Sequence, residues 1–266
     1  MTSELIILCV AAALAGVVNA IAGGGTLLTF PALALILGPS AAAAVAANAT
    51  STVALFPGSL AAMWGYRREL SGARPWVVPL IGPSLVGGAI GTWLVAQRDP
   101  KEFQLLVPVL ILAATVLFLL QPSITKWTGI GKPHESPSLA ARTGIIGFQF
   151  LIAFYGGYFG AGIGILMLSA LALMGLSDIH RMNGVKTLLA SAINGISVVL
   201  FIWFDKVHWN LAVPMILASI VGGCVGASVA RRLNKNLVRQ TVVVIGMLLS
   251  AYYFLRIYGI LGERTT

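Results

Sequence analysis

The chain has 266 residues, 58% of them apolar and only 9% charged, with mean hydropathy +0.93 and formal net charge +9. A soluble domain carries roughly 25% charged residues, and a chain of this size has too little interior to hide so much apolar surface. Composition therefore excludes a soluble enzyme and a disordered chain. The cations sit in short breaks between apolar runs, so the basic excess reflects membrane topology and not a nucleic-acid partner.

The apolar runs read as helical segments in two series. The first is A, 5–22; B, 26–37; C, 41–65; D, 75–96; and E, 103–120. A signal peptide is not expected at segment A, because residues 1–4 bring no basic region. A polar linker with Pro122, Pro133 and Pro137 follows, over 122–140. The series then restarts as A′, 142–159; B′, 164–176; C′, 184–204; D′, 209–230; and E′, 237–257. This divides the chain into a first repeat over 1–121 and a second over 141–266, joined by a cytoplasmic linker. Pro79, Gly87, Gly88 and Gly91 recur at identical spacing as Pro214, Gly222, Gly223 and Gly226. Such a duplication is common in transporters.

Segments B and B′ are too short to span a bilayer core of about 30 Å. Both follow glycine-rich breaks, 22–25 and 160–164. Glycine weakens a helix and lets the backbone turn, so A–B and A′–B′ read as broken or re-entrant helices. If each half crosses an odd number of times, the loops near 66–74, 121–142, 177–186 and 231–239 share one side and hold 12 of the 17 Lys and Arg. Basic loops stay cytoplasmic. The expectation is an all-α integral membrane protein with two inverted-topology repeats of about five segments each and both termini outside. Ten crossings, or six crossings plus two hairpins, satisfy this parity equally.

Polar groups within the membrane are costly and therefore informative. Segment C carries Asn48, Thr50, Ser51, Thr52 and Ser59. Segment C′ carries a stripe of Asn183, Thr187, Ser191, Asn194 and Ser197 at helical spacing, bordered by Lys186. Hydrogen bonding between helices accounts for such residues as readily as a binding site does. Lys186 stands apart, since it either reaches back to the surface or faces a cavity and holds an anion. Helices starting at the breaks would point amides and positive dipole ends inward. The candidate binding set is Gly24, Gly25, Asn48, Thr50, Ser51, Gly162, Gly164, Asn183, Lys186, Thr187 and Asn194. All eight carboxylates lie at or beyond segment ends, and Cys9 and Cys224 read as small buried hydrophobes. No metal, cofactor or catalytic role is expected.

The run Gly16–Thr26 with Pro31 and 47–51, together with 155–164 and Arg181–Lys186, resembles the TauE/SafE sulfite exporter family over nearly the whole chain. The resemblance implies a bacterial inner-membrane secondary transporter that exports sulfite, sulfonates or related sulfur-containing anions. A carrier of another small organic anion or an amino acid would use the same donors. The expected partners are the substrate and the lipid bilayer, with a homodimer the assembly that this reading allows.

Overall fold

The computed structural model describes residues 3–21, 24–128, 138–229 and 235–258. Among these residues ten helices follow one another: α1 (Ser3–Ile21), α2 (Thr26–Leu37), α3 (Ala41–Gly65), α4 (Arg74–Gln97), α5 (Pro100–Thr128), α6 (Leu139–Tyr158), α7 (Ile163–Leu173), α8 (Ile179–Trp203), α9 (Trp209–Val229) and α10 (Lys235–Ile257). Seven of them (α3, α4, α5, α6, α8, α9 and α10) are long and apolar enough to cross a membrane. The short α2 and α7 have 12 and 11 residues.

Sequence signals place the helix ends. Ser40 caps α3 by accepting from Ala43 N at 3.1 Å, and Ser138 caps α6 by accepting from Ala141 N. Asp178 accepts from His180 N at 2.8 Å and from Arg181 N at 3.3 Å. These bonds satisfy amides that a helix start leaves orphaned. Two ends differ from the sequence reading by more than three residues. Helix α5 runs on past Leu120 and through Pro122 to Thr128, so the first part of the expected linker is helical; residues 129–137 lie outside the described residues. Helix α8 begins five residues before the apolar run because Asp178 caps it there. Lys186 therefore lies about 10 Å along α8, two turns in.

The halves interlock. Helix α1 packs most extensively on α9 and α6 on α4, while α5 pairs with α10. The α4–α6 approach is close: a Cβ at Gly157 would strike the backbone of Gly88. The Thr92 hydroxyl of α4 lies 3.0 Å from the Gly157 carbonyl in this seam and 2.7 Å from Ser197 Oγ of α8.

Hydrogen bonds fix where the short helices lead. Gln149 on α6 donates to Ser84 Oγ on α4 at 2.9 Å, and Gly91 further along α4 faces Phe154 and Tyr158 further along α6. The two helices thus run side by side in the same direction. Trp76 Nε1 at the start of α4 donates to the Met174 carbonyl just past the end of α7. Helix α7 therefore returns to the face from which α6 enters, and the pair forms a hairpin. Helix α2 leads to the other face. Just beyond its end, Pro39 accepts from Gln104 near the start of α5 at 2.7 Å, and the α8–α9 turn lies beside Ser40 and Pro100.

The outer surface is what lipid contact requires. Large apolar side chains such as Ile7, Val10, Leu14, Leu151, Leu217 and Leu248 are exposed along α1, α6, α9 and α10. Trp64, Trp93, Trp127, Trp203 and Trp209 are exposed at or near helix ends, where an interfacial belt sits. Cys224, expected to be buried, is exposed on α9, and Cys9 is half-buried.

Candidate anion cleft between the helix breaks

The two chain breaks meet at one polar cleft. Asn19 near the end of α1 and Thr26 at the start of α2 line it from the first half, and Phe159, Gly160, Ile163 and Gly164 line it from the second. Helix α3 contributes a wall through Thr52, Leu55, Ser59 and Ala62, spaced three or four residues apart. Helix α8 faces it with Lys186, Thr187, Ala190 and Asn194. The cavity has about 30 Å³ of room for water centres, space for one or two waters.

Local backbone explains the second break. Gly160 and Gly162 have φ of +82° and +79°, left-handed values that favour glycine. Gly162 is the residue before α7, and neither α2 nor α7 is capped by a side chain among the described residues. Both helices therefore start beside the cleft, with their positive dipole ends at it and no side-chain cap on their first amides. One helix braces both breaks from behind. Phe118 of α5 fills the space beside Gly24, while Ala114 and Leu117 back Gly162.

Lys186 supplies the only formal charge among the described lining residues. It is 2% exposed, and its Nζ donates to Asn183 Oδ1 at 3.3 Å. The hydroxyls around it have their protons committed. Thr187 donates to the Asn183 carbonyl at 2.8 Å, Thr52 to the Asn48 carbonyl at 2.9 Å and Ser59 to the Leu55 carbonyl at 3.1 Å. These oxygens present lone pairs to the cleft, while Lys186 and the helix starts present donors.

Of the expected binding set, Gly164, Lys186, Thr187 and Asn194 line the cleft. The other seven stand elsewhere in the same framework. Gly24 and Gly25 sit in the first break but face Phe118 and Ala15, and Gly162 faces α5. Asn48 donates to the Tyr158 carbonyl at 3.0 Å, tying α3 to the end of α6. Thr50 accepts from His208 N at 3.0 Å, and Ser51 shares a hydrogen bond with Thr29 of α2 at 2.5 Å. Asn183 lies one turn before Lys186 and holds its ammonium. Sequence reasoning counted Thr52 and Ser59 among the polar residues of segment C but left them out of the binding set, and it passed over Asn19 and Thr26. Asn19 was legible as a lone amide in an apolar helix; here it donates to Ser59 Oγ at 2.8 Å.

The profile of the sulfite exporter TauE/SafE family matches residues 8–253. The chain belongs to the TauE/SafE family. Similar proteins agree over most of their lengths. A probable membrane transporter protein of Haemophilus influenzae is 31% identical over 240 residues, 89% of each chain. The probable membrane transporter protein YfcA of Escherichia coli K12 is 27% identical over 254 residues, 94% of this chain and 90% of its own. The probable membrane transporter protein ORF9 of a Sinorhizobium species is 27% identical over 248 residues, 92% of this chain and 90% of its own. This TauE/SafE protein is thus a multi-pass membrane transporter and not an enzyme.

Proposed function

We propose that the chain is a secondary transporter exporting sulfite, sulfonates or related sulfur-containing anions across the bacterial inner membrane. The observation that carries this reading is the meeting of Lys186 with the starts of α2 and α7 in one buried cleft. Helix starts and a buried ammonium together favour an anion over a cation or a neutral solute. No Asp or Glu lines the cleft among the described residues. An inside-negative potential favours outward movement of an anion by about 2.3 kcal/mol per charge per 100 mV. Export of an anion therefore needs no coupling ion.

This reading takes the two halves as an inverted repeat with the 66–74 face cytoplasmic, the side that the basic loops favour. Helix α7 leads to that face and α2 to the opposite one, which supports opposite orientation of the two halves. A second reading, transport of an amino acid or another organic anion bearing an N–H or O–H donor, is favoured by the three lone-pair-presenting hydroxyls. The deciding experiment is efflux of radiolabelled sulfite from proteoliposomes, with sulfonates, amino-sulfonates and amino acids as competitors. Saturable efflux blocked by sulfonates is the expected result. Competition by amino acids alone would transfer the site to the second reading, and the absence of any sulfite flux would defeat the first.

A further inference from the structure

A second cavity lies at the face opposite the basic loops, between the α2–α3 corner, α5 and α10. It also has about 30 Å³ of room for water centres. Gly38, Ser40, Gln104, Tyr253 and Arg256 line it, and no Asp or Glu does among the described residues. Its floor is polar in an unusual way. Tyr253 is 7% exposed, and its buried hydroxyl meets no hydrogen-bond partner among the described residues. Arg256 rests on Tyr252, donating to its hydroxyl at 3.1 Å with its guanidinium carbon 5.8 Å from the ring. This holds the cation at the cavity and leaves further N–H groups to donate. Helix α3 begins at the same place. Ser40 Oγ caps the Ala43 amide, while the Ala41 and Ala42 amides, in the first turn of α3, have no partner inside the helix. The exposed Pro39 and Ser40 form the rim.

An aromatic barrier separates this cavity from the central cleft. Phe159 lines the cleft and lies 5.3 Å from Phe30, ring centre to ring centre, and Phe30 lies 6.4 Å from Tyr253. Phe103 packs at 6.3 Å from Phe30 and 6.4 Å from Phe159. All three phenylalanines are buried.

We infer that the outer cavity is an oxyanion site, held by Arg256, the Tyr253 hydroxyl and the start of α3, beyond the aromatic barrier from the central cleft. The remaining N–H groups of Arg256, the Tyr253 hydroxyl with no partner among the described residues, and a helix start match the oxygens of one small oxyanion. The ligand is either the free anion leaving the protein or the phosphate of a lipid headgroup; both present the same oxygens. The site stands whether or not the central cleft carries sulfite.

The test uses the full chain crystallised from a phosphate-free lipid mesophase and soaked in selenate, with a parallel arm containing phosphatidylglycerol and no selenate. The expected result is an anomalous selenium peak within hydrogen-bond distance of Arg256 and Tyr253. It should be lost in Arg256→Gln, lose occupancy in Tyr253→Phe and persist in Arg256→Lys. A phosphate group seated there in the lipid arm also supports the site and names a headgroup as a source. No peak in either arm overturns the inference. So does an adventitious ion only, seen as a selenium peak of equal height in Arg256→Gln. Loss of sulfite flux in the proteoliposome assay would defeat the proposed function but leave this readout intact.

Discussion

Replacing Lys186 with methionine tests the charge of the cleft with little change in shape. The side chain is 2% exposed and sits two turns inside α8. A hydrogen bond to a charged group is worth about 1.5–3 kcal/mol. At about 1.4 kcal/mol per decade, Lys186→Met should weaken anion binding roughly 10- to 100-fold. Burying a lysine in the membrane is itself costly, by about 2.5–3.5 kcal/mol at a helix centre. The variant should therefore keep or raise its thermal midpoint while losing affinity. The assay is half-saturation for labelled sulfite in proteoliposomes, paired with thermal unfolding in detergent. A folded variant whose half-saturation stays within about threefold of wild type, less than roughly 0.7 kcal/mol, would refute the reasoning.

Other consequences are equally direct. Gly162→Ala places an L-residue at φ +79°, which costs about 1–2 kcal/mol; the thermal midpoint should drop by a few degrees, with partial recovery in Gly162→Asn. Thr92→Val removes the hydroxyl by which α4 meets Gly157 of α6 and Ser197 of α8, and should destabilise the protein by about 1–2 kcal/mol in chemical unfolding. Asn19→Leu breaks the bond to Ser59 and lines the cleft with an apolar group; sulfite flux should fall with little loss of expression. The Asp178 carboxylate is held below its ordinary value by the Arg181 amide, then by the His180 amide. A lowered native value gives stability that is present above the unfolded value of about 3.9 and is lost as pH falls through the native one. Asp178→Ser keeps a cap and should flatten the acid limb of a plot of midpoint against pH.

Much of the architecture could be read before any coordinates. Segments B and C coincide with α2 and α3 because glycine, proline and a capping serine punctuate an otherwise uniform apolar text. Helix α5 ran longer than read because its last two turns carry Gln121, Ser123, Thr125 and Lys126, and hydropathy alone does not follow a helix past the end of an apolar run. The site was half legible. Lys186, Thr187 and Asn194 form one helical stripe, and periodicity finds a stripe. Asn48, Thr50 and Ser51 are just as polar, yet their side chains tie helices together, which composition cannot tell from ligand contact. Asn19 and Ser59 join the cleft through a contact 40 residues apart in sequence, and spacing within one segment cannot reveal it.

Helix α5 carries a mechanical implication. Its Phe118 abuts the first interruption and its Ala114 and Leu117 abut the second. A tilt of this single rod would be felt at both turning points together.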